Sequence, residues 1–387
     1  MIHAVTARAL PLQPVVTANH DKNRQAAIVG TVDHRGRSQW HRTTPVEKAT
    51  HMYPPIATRL ALCALILLGS TVAAQEPTPD SVGPVGRQAL EDAWWTGPIL
   101  AAGATPLPKG HVLVEPYVYD VIRYGRYDEQ GNQRDASRID GYGSLTYALY
   151  GLTDNVTAGL IPTFGFNALS DGEDSSGIAL GDLSLQAQYG LTRFRPGRRV
   201  PTTSLVVQQS LPTGKYDRLG DRPADGMGSG ANTTTFGLYS QYFSWMPNGR
   251  ILRTRLNLTY SVSDDPGVTD VSVYGTPQGF RGHASPGDSS SVTLSGEYSV
   301  TRNWVLALDL YYQHDDNTRI SGYVASDDGE PVSFEQNSGT SWRFGLAPAV
   351  EYNFNGNVGL IVGFRWFATG RNTSASVTPV AAINMFY

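Results

Sequence analysis

Cysteine is almost missing from this chain of 387 residues: the only one, Cys63, lies inside the only long apolar run, LALCALILLG at residues 60–69. That run follows Arg59 and ends in small residues up to Ala74, which is the pattern of an export signal cleaved after Ala74. It is too short to span a bilayer as a helix. Leu62 stands where a lipoprotein signal carries a small residue, so Cys63 leaves with the signal. The mature chain is then free of thiols, which excludes a disulfide framework and thiolate chemistry. Charge is also scarce, 17% of residues with a net of -4, and no basic excess points to nucleic acid. Beyond Ala74 only His111, His283 and His314 could serve as histidine bases or ligands.

Metal and cofactor motifs are missing too, and the sequence implies no cofactor. Gly214-Lys215 lacks the glycine spacing and the following hydroxyl of a phosphate loop. The acidic clusters at Asp171 to Asp174, Asp264-Asp265 and Asp327 to Glu330 lack calcium-loop spacing. They are expected to be solvated loops, with counter-ions shared with lipopolysaccharide as the alternative.

What the chain does have is glycine, 41 residues, tyrosine, 20, and a period of two. From Thr340 to Thr369 one parity carries Trp342, Phe344, Leu346, Pro348, Val350, Tyr352 and Phe354, then Val358, Leu360, Val362, Phe364 and Trp366. The other parity is polar or small, with Arg343, Gly345, Glu351, Gly359, Gly363 and Arg365. Such alternation is a hairpin with one greasy face. Asn355-Gly356-Asn357 is expected to turn it through positive-φ positions. Ten steps of about 3.4 Å, tilted near 40°, give roughly 26 Å, the height of an outer-membrane apolar band.

The same rhythm recurs at Val112 to Tyr124, Ile139 to Tyr150, Val156 to Asn167, Ile178 to Tyr189, Thr203 to Leu211, Thr233 to Trp245 and Ile251 to Ser263. It continues at Ser291 to Val300, Trp304 to His314, Ser341 to Phe354, Val358 to Thr369 and Ala375 to Tyr387. Short turns alternate with long Asp-, Gly- and Ser-rich links, which puts both termini in the periplasm. The expected fold is all-β: a transmembrane up-and-down antiparallel barrel of about 12 strands. Residues 1–51 are expected to be an extension upstream of the natural start at Met52, 52–74 the signal, 75–110 a periplasmic lead-in and 111–387 the barrel. Within the lead-in, a turn of helix is expected near Ala89 to Trp95, with Trp94 and Trp95 packed against the lower rim, or else serving as a membrane-interface anchor or a plug in the lumen. The last residues alternate to a terminal aromatic, Tyr387, which resembles the signal read by the barrel-assembly machinery.

Charged groups on the inward parity face the lumen, because a charge facing lipid at the midplane costs about 2 to 4 kcal/mol. Asp182, Gln186, Gln188, Arg253, Arg255, Glu297, Asp309, Arg343, Glu351 and Arg365 are therefore candidates to line it. They either set selectivity or form a network that braces the wall. Pro116, Pro162, Pro348 and Pro379 each remove a ladder donor, and a closed barrel has no edge to hide that loss. Pro348 is the expected site of a bulge. Pro116, Pro162 and Pro379 fall near the closing seam, as a lateral gate for an apolar solute or as local bulges without a transport role.

GIALGDLSLQAQYGLT, Gly177 to Thr192, SLPTGKYD, Ser210 to Asp217, and YGLTDNVTAGLIPTF, Tyr150 to Phe164, resemble the outer-membrane transporter family named for the meta-pathway of phenol degradation. The Gly181-Asp182 pair and the Pro212 to Tyr216 element carry the resemblance, while Gln188 stands where it leads one to expect a basic residue. The resemblance implies a monomeric barrel in outer-membrane lipid and lipopolysaccharide that takes up small hydrophobic or aromatic solutes. Two rival classes remain open: a closed structural or adhesive barrel, and a lipid hydrolase with a base at His314. No serine lies two residues beyond that histidine.

Overall fold

A computed structural model of the chain describes residues 30–32, 38–40, 86–325 and 330–387. The expected extension and signal lie outside the described residues, apart from Gly30–Val32 and Ser38–Trp40. These two strands pair antiparallel within a unit of their own, Gln13–Val72.

Period-two alternation builds twelve long strands. They are β1 (Val112–Tyr127), β2 (Gln133–Thr153), β3 (Val156–Ile161 continued by Thr163–Leu169), β4 (Ala179–Leu180 continued by Leu183–Thr192), β5 (Thr202–Leu211) and β6 (Thr233–Trp245). The second half comprises β7 (Ile251–Ser263), β8 (Ser289–Ser299), β9 (Trp304–Asp315), β10 (Ser341–Asn353), β11 (Val358–Arg371) and β12 (Thr373–Phe386). Each pairs antiparallel with the next, and β12 pairs with β1 to close the barrel. Closure leaves no edge strand among them. Backbone bonds in both directions between Val112 and Tyr387, each 2.9 Å, fasten the carboxyl end to the start of β1.

The two faces separate as the lipid environment requires. On β9, Leu306 and Leu308 are about half exposed, whereas Val305, Ala307, Asp309 and Tyr311 are buried. The Trp304 ring lies 4.7 Å from Tyr352, tilted, at one end of this face, and Tyr312 stacks 6.3 Å from Trp342 at the other. These are the aromatic girdles of a membrane barrel.

The Asn355 to Asn357 turn differs from expectation, because none of its residues has positive φ. The Asn355 carboxamide oxygen instead accepts the N–H groups of Asn357 (2.8 Å) and Val358 (2.9 Å) and closes the turn itself. Two expected loops are also more ordered than their composition suggests. Gly267–Thr269, Phe280–Ser285, Arg319–Ala325 and Pro331–Asn337 form a separate four-stranded sheet. Its core joins Phe280, Ala284, Ile320 and Val268 to Leu219 and Tyr216 from the link between β5 and β6.

The prolines interrupt the ladders in a regular way. Pro348 pairs with Leu308 on β9, but pairing to β11 stops between Leu346 and Ala349 without a change of register. The bulge in that ladder lies at Phe344/Gly345 rather than at Pro348. Between β12 and β1, pairs are missing at Thr378–Pro379 and again at Ile383–Asn384, the latter opposite Pro116. Pro162 accepts the Thr146 N–H at 3.2 Å and cannot return a bond.

Candidate functional site

The inner half of the lumen is filled by the chain's own lead-in. At Gln88 the segment is clamped to the β6–β7 turn: its N–H donates to Gly249, its carbonyl accepts Trp245 Nε1 (2.8 Å) and its Oε1 accepts the Ile251 N–H. A single 3-10 turn, Leu90–Asp92, lies within the stretch where a helical turn was expected. Trp94 then meets the Arg302 guanidinium at 4.4 Å and Trp95 the Arg253 guanidinium at 4.5 Å.

Beyond the tryptophans, wall side chains replace the partners that an irregular backbone lacks. Glu351 Oε2 accepts the N–H groups of Thr96 (2.8 Å) and Gly97 (3.1 Å). Asp309 accepts those of Leu100 (3.0 Å) and Ala101 (3.3 Å). In the other direction, Arg255 Nη1 donates to the Ala101 carbonyl at 2.9 Å, Asn257 to Ala102 and Gln188 to Gly103. Leu107 N–H reaches Thr157 Oγ1 at 2.8 Å, which returns the segment to the β2–β3 turn. A buried peptide group without a partner costs about 1–3 kcal/mol, so this series of contacts specifies the path of the segment.

Glycines on the inward parity make the room. A Cβ at Gly359 would collide with Thr96 Oγ1, and one at Gly363 with Ile99. Ile99 and Leu100 pack into an apolar cluster with Tyr117, Tyr119, Leu145, Ile161, Ile361 and Val380. The small-residue parity of the Thr340 to Thr369 hairpin was the sequence signal for this close approach.

Several candidate groups thus hold the segment rather than line an open bore. Gln188, Arg255, Asp309 and Glu351 bind its backbone, and Glu297, fully buried, braces the two arginines of β7. Glu297 accepts Arg253 Nε at 2.7 Å and Arg255 Nε at 2.8 Å, and the Arg253 Nη2 contact completes a forked pair. Gln186 is buried on the same face. Arg343 and Arg365 lie apart from this group, their guanidinium carbons 4.9 Å and 4.7 Å from the Phe367 ring.

Asp182 has a different task. Its carboxylate accepts Gly214 N–H (3.0 Å), Ser229 N–H (2.8 Å) and Ser229 Oγ (2.7 Å), pinning the two ends of the β5–β6 link together. Thr213 Oγ1 donates to the Gly181 carbonyl at 2.8 Å and accepts the Leu183 N–H at 3.0 Å. The Gly181-Asp182 pair and the Pro212 to Tyr216 element, distant in sequence, are one hydrogen-bonded unit. In the same link, Asp225 accepts Ser176 N–H at 2.7 Å, and this bond holds its carboxyl below the usual range.

Sequence reasoning missed two features. Asp120 occupies the lipid-facing parity of β1 at the unpaired step beside Pro379. Ser290 pairs directly with His314 across β8 and β9, and His314 Nε2 lies 3.3 Å from Asp316 Oδ1. A serine opposite a histidine on a neighbouring strand leaves no spacing signal within one segment.

Comparison with known proteins agrees with this geometry. The family described as "Putative MetA-pathway of phenol degradation" matches residues 116–378. No curated protein matches the chain in sequence. Among solved structures, the COG4313 outer membrane channel from Pseudomonas putida F1 superposes with a TM-score of 0.57 at 16% identity, covering 75% of this chain and all of that one. The Pseudomonas putida toluene transporter TodX gives 0.35 at 12% identity over 76% of this chain and 95% of that one. The fold is therefore that of a bacterial outer-membrane barrel. With more than half its length matched, from Pro116 in β1 to Thr378 in β12, the chain belongs to the phenol-degradation MetA-pathway family of outer-membrane proteins.

Proposed function

We propose that this protein is a monomeric outer-membrane channel for passive uptake of small hydrophobic or aromatic compounds. The solute enters the outer half of the lumen and leaves sideways through the β12–β1 seam. The observation that carries this reading is the coincidence of a plugged inner lumen with a broken ladder. Residues 86–110 occupy the axial path, while the β12–β1 ladder lacks pairs at two steps, one beside Pro379 and one opposite Pro116. Pro162 adds a third lost donor two strands away.

Both faces at the seam are mostly apolar, apart from Asp120 on the lipid parity and the Asn384–Glu115 bond on the lumen side. Tyr117, Tyr119, Val121 and Val380 lie on the lumen side, with Val118 and Ile383 exposed on the lipid side. Family membership agrees with a link to aromatic catabolism, and the two Pseudomonas putida structures are described as a channel and a toluene transporter. In this reading residues 52–74 are the export signal, 75–110 supply the plug and Tyr387 presents the assembly signal. Lipopolysaccharide surrounds the outer aromatic girdle.

Planar-bilayer conductance combined with uptake of phenol, toluene and a long-chain fatty acid into proteoliposomes tests it. Toluene entry without a steady ionic current is the expected result, and a silent bilayer with no solute entry sinks the proposal. A second reading, an outer-membrane lipid hydrolase, is favoured by one observation, the Ser290, His314 and Asp316 arrangement on the outer rim. Phospholipid hydrolysis lost in Ser290→Ala would establish it.

A further inference from the structure

The three lumen arginines Arg123, Arg343 and Arg365 come together in the barrel without a carboxylate. Each lies on an inward parity, on β1, β10 and β11, and the charge of Arg343 acts on both of the others. Among the described residues none of the three forms an ion pair, in contrast to Arg253 and Arg255, which share Glu297. Arg343 donates to the neutral Gln313 Oε1 at 2.8 Å and 3.2 Å. Asp315, two residues beyond Gln313, accepts Ser289 Oγ at 2.6 Å and Gln313 Nε2 at 2.6 Å.

Arg365 is only 1% exposed, and its Nε has no hydrogen-bond partner. Among the described residues its one hydrogen bond is a long one, 3.5 Å, from Nη2 to Thr378 Oγ1. The Tyr119 hydroxyl, which lies over Gly143 and on which the Arg365 charge acts, is likewise buried without a partner. Buried donors are normally satisfied, and clustered like charges repel, so this arrangement lacks an acceptor that carries negative charge.

The walls around it are aromatic. Phe367 lies under both Arg343 and Arg365, with Tyr311 6.0 Å from its ring, and Tyr127 holds its backbone by donating to the Phe367 carbonyl at 3.1 Å. Three ladder irregularities fall at the same level, at Arg123/Gly125, Phe344/Gly345 and Ala375/Ser376. Bulges re-aim side chains and are enriched beside functional sites.

We infer that Arg123, Arg343, Arg365 and Tyr119 form a binding site for a small aromatic anion, a single ring bearing a carboxylate. The carboxylate accepts from Arg365 Nε, the Tyr119 hydroxyl and Arg343, while the ring packs on Phe367 and Tyr311. This rests on the channel reading above and narrows it, since the solute held in the lumen then carries charge as well as a ring. An inorganic anion would satisfy the donors and leave the aromatic walls unused. A neutral arene would do the reverse.

Equilibrium binding to the full chain in detergent micelles tests the site with benzoate, toluene, acetate and sulfate as probes, followed by titration calorimetry. Benzoate is expected to bind at least about tenfold tighter than any of the other three, the ratio one charge-assisted hydrogen bond supplies. Arg343→Gln, a partly exposed position whose loss strands no carboxylate, is expected to weaken benzoate about tenfold, and Arg365→Gln at least as much. Benzoate bound no tighter than toluene, or no tighter than acetate and sulfate, overturns the proposal on wild-type protein alone. Unchanged benzoate affinity in folded Arg343→Gln overturns it as well. Binding in micelles needs no passage through a wall, so its outcome is independent of whether toluene enters proteoliposomes.

Discussion

Between β6 and β7 the residue pairs run without a gap from Thr233 and Ser263 to Trp245 and Ile251, whereas between β12 and β1 the ladder stops twice within fourteen residues of β12. The lumen sides of these two walls differ in the same sense. Behind β6 and β7 stand Gln241, Arg253, Arg255 and Asn257, which bind or brace the inserted segment. Behind β12 and β1 stand Val380, Ala382, Tyr117 and Tyr119, in one apolar cluster with Ile99 and Leu100 of the segment. One wall is a continuous ladder with polar side chains serving a backbone, and the other is a discontinuous ladder with mostly apolar side chains, apart from Asp120 on its lipid parity and the Asn384–Glu115 bond on its lumen side. The first suits a fixed support and the second a place where an apolar solute crosses.

The largest expected effect comes from undoing the support. Asp309→Ala strands the N–H groups of Leu100 and Ala101, at about 1–3 kcal/mol for each. It is expected to turn a silent bilayer into one with discrete current steps. Thr235→Ala, which removes a lumen-facing bond to Ser261 away from the segment, is expected to stay silent. Currents equal in the two variants would contradict the role given to Asp309.

Repairing the seam has a smaller effect. Pro116→Val with Pro379→Val returns two ladder donors, worth about 0.5–1.5 kcal/mol each, so the Tm of the double variant is expected to rise. Toluene uptake is expected to fall severalfold, and an unchanged rate with a raised Tm would separate the prolines from transport. The smallest effect is in the link between β5 and β6. The Asp225 carboxyl is held below the usual range chiefly by the Ser176 N–H, so the contact is complete above that range and is lost as pH falls through the lowered value. The protection of the Ser176 amide from exchange, relative to its intrinsic rate at each pH, is expected to be constant from about pH 7 to 5 and to fall below about pH 4.

The barrel itself was legible because lipid on one side enforces a strict period of two, and Leu306 and Leu308 follow it against Val305 and Asp309. The prolines were legible as lost donors, since the pyrrolidine ring removes the N–H wherever it falls. Their consequences were less so: the bulge expected at Pro348 sits at Phe344/Gly345, where Phe367 needs room over a glycine. The path of the inserted segment was not legible beyond the small-residue parity of the Thr340 to Thr369 hairpin, because its partners Glu351, Asp309 and Arg255 lie more than one hundred and fifty residues away and an irregular backbone has no period. The roles of the lumen candidates changed for the same reason, as parity gives the face of a side chain and says nothing of what fills the space before it.

A staple across the seam separates the two walls most directly. Val118 and Ala381 are paired across β1 and β12, and Leu238 and Leu258 across β6 and β7, so each pair replaced by cysteines can be oxidised in a barrel that has no cysteine of its own, the chain's one being Cys63. Toluene uptake into proteoliposomes is then measured before and after reduction. The account predicts that the β1–β12 staple lowers uptake at least about tenfold, restored by reductant, and that the β6–β7 staple leaves it unchanged. Equal uptake through both oxidised proteins would contradict a lateral path at the seam.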